Sequence, residues 1–324
     1  MAMNDLTFAF ITPSYAPDFQ RCKLLCWSIQ KFVTFPVKHY IVVDQKDLAL
    51  FQELANSYTK ILTKEEILPA WIKRIPFFDK KNIWLNLRGY KSGNFLLRGW
   101  LVQQIVKLAA AQYVEEEVLV FVDSDVAFIE PFDVHTLVSQ DKVRLFRVEH
   151  YLNENDKLSD KWKECAKHLL NLPSENYYYD NYVNQIITWR RNTLLRMYQR
   201  IEQNFQKDWL ETISEMKHLS EYILYGIFAS YVSREHSGHY DDHLQKICWC
   251  YWEEVPMTPE ALKAFFQDAQ SSGHKAVMIS AKSGIDLSIE QFQNFLNSNS
   301  LPFNSTVAAT QGKELSPELL PPLR

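Results

Sequence analysis

Two carboxylates stand at the end of the most hydrophobic stretch of the sequence. Asp123 and Asp125 follow the apolar run Val118–Val122, and burying a charge is costly unless it is paired, hydrogen bonded or bound to a metal. Side chains two residues apart share a face of an extended chain, so both acids can converge on one cation, Mg²⁺ or Mn²⁺. Such an ion would neutralise a diphosphate. The alternative is that both acids are solvated and cap a turn.

The elements that must position these acids read as alternating strands and helices. Apolar runs at 6–12 and 38–44 predict strands, and 18–32 predicts an amphipathic helix with Asp18 as its N-cap. A second helix is expected at 48–58, and a third at 97–113 that leads into the strand Val118–Val122. This order predicts an α/β fold with a mostly parallel central sheet flanked by helices. Ligands of such sheets bind at the carboxyl ends of the strands, where Asp123 and Asp125 lie.

The rest of the chain predicts a more helical C-terminal half. Strands are expected at 142–149 and 182–189, and helices at 191–205, 220–232 and 258–270. We expect a single domain over 1–297, with a first half at 1–133 that ends just after the Asp-x-Asp strand and a second half at 134–297. The polar, proline-containing tail 298–324 is predicted to be disordered.

Composition excludes some classes of protein. The chain has 324 residues with a net charge of −4, which gives no general reason to expect a nucleic acid partner. Its five cysteines lack the spacing of a disulfide framework, so we expect reduced thiols and a cytoplasmic location. No signal peptide is recognised, and no apolar run reaches the ~20 residues of a spanning helix. Any membrane contact should therefore be peripheral.

Polar residues interrupt the apolar surface of the third helix. Gln103 and Lys107 are four residues apart and share a face. Lys107 could approach bound phosphates or pair with the acids at 123 and 125. Alternatively it extends to water, as lysines at a helix edge usually do.

The strand that ends in Asp-x-Asp, with the trailing sequence VAFIEPFD, resembles the metal-binding motif of nucleotide-sugar glycosyltransferases of the GT-A fold. The segments ITPSYAPD, HYIVVD and LRGWLVQQIVKLAAA fall in the matching order. The likeness covers 6–285 and extends to an uncharacterised bacterial family of that class. It implies a GT-A-type, Rossmann-like fold, with a nucleotide-binding half at 1–133 and an acceptor half at 134–297. It also implies transfer of a sugar to a saccharide or lipid-linked acceptor. Surface polysaccharide or glycolipid synthesis is implied by analogy alone.

The resemblance also implies roles for individual residues. Asp125 would bind Mn²⁺ or Mg²⁺ directly, and Asp123 would contact the ribose or reach the metal through water. The remaining residues expected to bind the nucleotide sugar are Thr12, Pro13, Ser14, Tyr15, Asp44, Gln103, Lys107 and Ser124. Among them, Tyr15 could stack on the base and Asp44 could accept hydrogen bonds from base or ribose. In the alternative interpretation, 13–14 form only a turn and Asp44 only caps a helix.

The later part of the chain offers acceptor and base candidates. Asn184 could hydrogen bond an acceptor sugar and Trp189 could stack on it. Glu221 lies in an aromatic-rich segment that resembles the position of the catalytic base in inverting members of the fold. Its alternative role is a first-turn acid after Ser220.

Histidines and cysteines cluster between 234 and 250. His239 or His243 is expected to complete the metal site, by resemblance to relatives with a late histidine ligand. A separate zinc site is the alternative, although the spacing fits no closed structural site.

Two other functions compete. A phosphatase of the haloacid-dehalogenase type also uses Asp-x-Asp at a strand end, with Mg²⁺. In that motif a Thr or Val stands two residues after the second Asp, where this chain has Ala127, and the motif normally opens the domain. A non-catalytic carbohydrate-binding relative of the fold is the other alternative.

Overall fold

The computed structural model describes residues 6–75, 82–90, 93–149, 157–173, 178, 180–243 and 247–298. Most of the predicted tail lies outside these residues. The strands of the described residues are β1 Phe8–Pro13, β2 Lys38–Val43, β3 Thr59–Thr63, β4 Ile72–Arg74, β5 Ile83–Asn86, β6 Leu96–Arg98, β7 Val118–Val122, β8 Val126–Phe128, β9 Val138–Ser139, β10 Lys142–Phe146, β11 Ile186–Arg190, β12 His239–Asp242, β13 Cys248–Tyr251 and β14 Ala276–Ile279.

Helices fill the connections and dominate the second half of the chain. They are α1 Phe19–Phe32, α2 Leu48–Phe51, α3 Lys64–Ile67, α4 Gly99–Leu108, α5 Ala110–Tyr113, α6 Lys157–Leu170, α7 Arg191–Phe205, α8 Trp209–Ser214, α9 Glu221–Ile227, α10 Pro259–Ser271 and α11 Ile289–Ser298. A π-helical segment, Phe228–Ser233, continues α9. No helix in the described ranges has the length and apolar character needed to cross a bilayer.

The central sheet has the strand order β11-β7-β1-β2-β3. β7, β1, β2 and β3 are parallel, and β11 pairs with β7 in the antiparallel direction. The predicted α/β fold with a mostly parallel central sheet and flanking helices is therefore confirmed. Ile186 at the start of β11 lies opposite Val122 at the end of β7, so residues 184 and 185 reach the same sheet edge as Asp123.

Three smaller sheets surround the central one. β4, β5 and β6 form an antiparallel sheet, β12, β10 and β9 form a second, and β13, β14 and β8 form a third. The third sheet lies next to the Asp-x-Asp turn, because the backbone N–H of Ile279 donates to the carbonyl of Asp125 over 3.3 Å. The turn that carries the two acids is thereby fixed between two sheets.

Hydrophobic cores cover both faces of the central sheet. On one face, Ile11 and Phe121 pack with the helices of the second half of the chain, including Tyr225 of α9. On the other face, Phe10 and Val120 pack against α1 and the third small sheet. Because β7 is buried on both faces, it reads as a continuous apolar run.

Several predicted elements differ in detail. The expected helix over 97–113 is divided into β6, α4 and α5, because 96–98 pair with β5 instead. The second predicted helix is helical only over Leu48–Phe51, followed by a 3₁₀ turn Gln52–Leu54. Asp18 is the N-cap residue of α1, as predicted, although its side chain makes no capping hydrogen bond.

Candidate active site at the end of strand β7

The two motif acids lie in a tight turn between β7 and β8. The backbone N–H of Val126 donates to the carbonyl of Asp123 over 3.1 Å, which closes the turn. Both aspartates are partly buried, whereas Ser124 between them is buried. The carboxylates are therefore held at the carboxyl edge of the sheet.

Asp125 occupies an unfavourable position for a carboxylate. Burial, the charge of Asp123 and then the charge of Asp18 raise its pKa to about 7. Asp18 comes close because the Ser124 hydroxyl donates to its carboxylate over 3.4 Å. Arg21 binds Asp18 at 3.0 Å. Three acids thus gather at this turn, and they favour either a proton or a cation.

Lys107 of α4 contacts an acid of the same turn. Its ammonium lies 3.1 Å from the Asp123 carboxylate and 3.3 Å from Glu221, and it donates to the Tyr222 hydroxyl over 2.8 Å. Burial alone would lower the pKa of Lys107, but the adjacent acidic groups, led by Asp123, hold that pKa well above its usual value. The expected pairing of Lys107 with a motif acid is present, and the lysine does not extend to water.

Glu221 is the first residue of α9 and is buried beside Lys107. Ser220 is the N-cap, since its hydroxyl accepts the backbone N–H of Ile223 over 3.4 Å. The backbone N–H of Glu221 donates to the side chain of Gln104 over 3.2 Å. Burial raises the pKa of the Glu221 carboxyl, and Lys107 only partly opposes this. Glu221 therefore lies in the first turn of α9 and is also one of the two acids that Lys107 contacts.

The β1 end of the predicted nucleotide pocket is mostly closed. Thr12 is fully buried, and its hydroxyl donates to the carbonyl of Val122 over 2.8 Å and contacts the His39 ring at 2.9 Å. The prediction that Thr12 contacts the nucleotide is wrong because its hydroxyl joins two strands. Pro13 pairs within the sheet and Ser14 is buried. Tyr15 is 43% exposed and can still stack on a ligand.

Asp44 is held in a buried ion cluster. Lys64 contacts its carboxylate at 2.7 Å and Arg74 at 3.4 Å, while the Asp44 side chain is only 2% exposed. A carboxylate with two cationic partners and almost no exposure is not available to base or ribose. The predicted role of Asp44 in nucleotide binding is therefore wrong.

The two predicted acceptor residues differ in their environment. Trp189 is 1% exposed and packs between Phe121 and Tyr225, with ring centroids at 4.4 and 4.5 Å. Its predicted stacking on a sugar is wrong because it is a core residue. Asn184 lies just before β11 at the site edge, and its side chain accepts the backbone N–H of Gln185 over 2.6 Å.

The predicted histidine ligands do not join the aspartates. His239 is buried in β12, where its ring nitrogens contact the Tyr225 hydroxyl at 2.7 Å and the Val143 carbonyl at 2.9 Å. Burial lowers its pKa to about 4. His239 as a metal ligand is therefore wrong, since neither nitrogen is available. His243 is exposed just beyond β12. The described residues contain no group of three or more His, Cys, Asp or Glu that could hold a metal, so the alternative of a separate zinc site finds no support among them.

Four residues of the site were not predicted for it. Gln104 contacts Glu221 and Tyr222 contacts Lys107, while Asp18 contacts Ser124 and is itself held by Arg21. Gln104 interrupts the same apolar helix as Gln103, which was the available signal in the sequence, but only the structure shows that Gln104 is buried and Gln103 half-buried. For Asp18, the only such signal was its position in the short segment between β1 and α1.

The chain belongs to a family of unknown function, DUF6492, whose profile matches residues 7–287. No curated protein matches the sequence. Among solved structures, the apo form of mouse xyloside xylosyltransferase 1 is similar with a TM-score of 0.44 and 9% sequence identity, over 86% of this chain and 100% of that chain.

Proposed function

We propose that this chain is a divalent-cation-dependent glycosyltransferase that moves a sugar from a nucleoside diphosphate sugar to an acceptor hydroxyl. The observation that carries the proposal is the turn after β7, where Asp125 has a pKa of about 7 because it is crowded by burial and by other acids. A carboxylate in this state is stabilised when a cation arrives. The parallel sheet places this turn at the edge where ligands of such folds bind.

The donor set fits Mg²⁺ or Mn²⁺. Two carboxylates, Asp123 and Asp125, are enough, because Mg²⁺ commonly takes one or two carboxylates and completes its coordination with water and substrate phosphates. Asp125 would be the main ligand, since Asp123 shares its charge with Lys107. When bound, the ion would supply Lewis-acid stabilisation of the diphosphate leaving group.

The chain's own residues would bind and orient the substrates. Tyr15, exposed at the end of β1, offers a stacking face for the base. Lys107 holds Asp123 and Glu221 in fixed positions. Asn184 lies at the acceptor side of the same edge, where the start of β11 passes the end of β7.

Glu221 is the candidate base for the acceptor hydroxyl. Its raised pKa makes it a stronger base than an ordinary glutamate. We expect Glu221→Gln to keep nucleotide-sugar binding and the melting temperature while the transfer rate falls by ~10² to 10⁴. Transfer within a few-fold of the wild-type rate would reject the base and favour a retaining mechanism.

Calorimetry tests the proposed cation and nucleotide site. Wild-type protein is titrated with nucleoside diphosphates and nucleotide sugars, with and without Mn²⁺. Asp125→Asn should lose more affinity than the ~10- to 100-fold typical for loss of a group that only orients a metal ligand. The matched control is Asp268→Asn, at an exposed acid in α10. Unchanged Mn²⁺-dependent affinity in Asp125→Asn would reject the proposal.

Stability gives a second readout that does not need activity. Because the folded state raises the Asp125 pKa to about 7, the charged form is destabilising above that pH. Asp125→Asn should therefore melt at a higher temperature than wild type at pH 8, although it loses the ligand. Hydrolysis of a simple aryl phosphate with Mg²⁺, abolished by Asp123→Asn, would instead support the phosphatase alternative.

A further inference from the structure

The small sheet of β4, β5 and β6 has one face buried and one face open. Ile72, Trp84 and Leu97 point into the main core and are at most 3% exposed. Along each strand the buried and less buried residues alternate, as expected for a sheet with one solvated face. The inner face thus anchors the sheet, and the other face is directed outward.

The outward face is apolar and basic. Lys73 lies opposite Leu85, which lies opposite Leu96, and Ile83 lies opposite Arg98. Solvated faces of antiparallel sheets are normally polar, yet three of these five residues are aliphatic. We call the set the outer sheet face, and it consists of Lys73, Ile83, Leu85, Leu96 and Arg98.

Exposed apolar side chains also occur in the loop and helix that adjoin these strands in the sequence. Tyr90 is 80% exposed and Trp100, at the start of α4, is 52% exposed. Of the large hydrophobic residues exposed on the described chain, those between 87 and 100 are Leu87, Tyr90, Phe95, Leu96 and Trp100. Exposed apolar residues this concentrated mark an interaction surface.

The charge of this region is opposite to that of the whole chain. Residues 70–100 contain seven of the 35 Lys and Arg residues and one of the 39 Asp and Glu residues, in a chain with net charge −4. Among the described residues of this segment there is no acid. Lys73, Arg88 and Arg98 are exposed, although Arg88 also pairs with Glu211 of α8 at 2.7 Å. The surface therefore fits an anionic partner.

We propose that the outer sheet face, with Tyr90, Phe95 and Trp100, docks on the surface of an anionic lipid bilayer. Tyr and Trp combine an apolar body with a polar tip and concentrate at membrane–water interfaces. Basic residues near an anionic leaflet add electrostatic attraction. The aliphatic Leu85 and Leu96 favour insertion among lipid chains over contact with a nucleic acid, which binds through phosphates and stacked bases.

Other occupants fit the charge less well. A second copy that paired through the same face would bring like charges together. The tail 299–324 has two basic and two acidic residues, so it offers no net attraction to a basic face. Neither objection applies to an anionic bilayer.

The docking face connects directly to the candidate active site. Trp100 and Lys107 belong to the same helix, α4, and Lys107 contacts Asp123 and Glu221. A bilayer bound at the amino end of α4 would therefore contact one end of the helix whose other end carries Lys107. Binding to vesicles does not depend on the proposed sugar transfer and can be measured without it.

Vesicle sedimentation of the full chain tests the proposal. The probes are vesicles of phosphatidylcholine alone and of phosphatidylcholine mixed with phosphatidylglycerol. Wild type should bind only the anionic vesicles, less well in high salt. The double variant Lys73→Gln, Arg98→Gln should lower the partition coefficient about 25-fold, because each basic group contributes about fivefold. Leu96→Ser should lower it about fivefold through lost apolar burial.

Matched controls are the double variant Lys60→Gln, Lys263→Gln and the single variant Val255→Ser, all at exposed positions elsewhere. They should bind as wild type does. Hydrogen exchange should show protection of 93–100 by anionic vesicles. No binding to anionic vesicles, or equal loss in the controls, would overturn the proposal. Binding that depends on the charges but not on Leu96 would indicate a soluble polyanion instead, and a dimer lost in Leu96→Ser would indicate a second copy.

Discussion

Replacing Lys107 by methionine separates the charge of the lysine from its volume. The variant removes the partner of Glu221, whose side chain is 7% exposed, and of Asp123, whose side chain is 31% exposed. Asp123 can be solvated by water, so its lost ion pair should cost little. Glu221 cannot, and an unpaired buried charge costs ~3–5 kcal/mol. The buried glutamate therefore decides how much unfolding free energy the variant loses. This loss is a large part of the ~5–15 kcal/mol by which most folded proteins are stable.

Equilibrium unfolding in urea measures this cost. Lys23→Met is the matched control, because Lys23 and Glu53 form an exposed pair at 3.1 Å, which is expected to contribute ~1 kcal/mol or less. The double variant Lys107→Met, Glu221→Gln should recover most of the lost stability, since no buried charge remains.

The loss should also depend on pH. Without Lys107, the folded state raises the Glu221 pKa further above its unfolded value of ~4.3. Between these two values the folded state binds more protons than the unfolded state, so stability falls as pH rises. The deficit of Lys107→Met should be smaller near pH 5 than at pH 8. A cost no greater than that of Lys23→Met, or no recovery in the double variant, would refute this reasoning.

Three further outcomes are expected. Because Asp125 has a pKa of about 7, Mn²⁺ affinity measured by calorimetry should fall about tenfold per pH unit below that value, and a pH-independent affinity would contradict the assignment. His239 is held neutral with a pKa of about 4, so it should contribute to a loss of stability as pH falls from ~6.5 to 4. His239→Gln should flatten this part of the plot of stability against pH without changing Mn²⁺ binding. Weaker Mn²⁺ binding in this variant would instead indicate that His239 is a metal ligand. Trp189→Ala should destabilise the protein by ~3–5 kcal/mol in urea unfolding, whereas a change in acceptor affinity at unchanged stability would contradict its place in the core.

The strands of the central sheet could be predicted because their pattern is local. β1, β2 and β7 are buried on both faces, so each is an apolar run that stands out without knowledge of its neighbours. The position of Asp123 and Asp125 at a ligand-binding edge follows from that pattern and from the general behaviour of parallel sheets. β6 could not be recognised, because Leu97 lies four residues before Leu101 and so continues the helical spacing of α4, whereas 96–98 become a strand only by pairing with β5.

The wrong site residues share a physical reason. Asp44 looks like a free strand-end acid until Lys64 and Arg74, 20 and 30 residues later in the sequence, are brought against it. Trp189 looks like a sugar-stacking residue until Phe121 and Tyr225 enclose it. In each case a residue type suited to binding is used by a partner distant in sequence, which a local pattern cannot show.

The charges around the Asp-x-Asp turn imply an order of binding. Lys107 and Arg21 contact four acids, which are Asp18, Asp123, Glu221 and Asp286. Asp125 adds a fifth acid, on which Asp123 and Asp18 act. A nucleoside diphosphate that arrived alone would be repelled by this excess of negative charge, whereas a divalent cation would be attracted and would then present positive charge to the phosphates. The proposed enzyme should therefore bind its donor with or after the cation. The roles of the two residues therefore differ: Lys107 balances the charges of Asp123 and Glu221, and Asp125 is left for the ion.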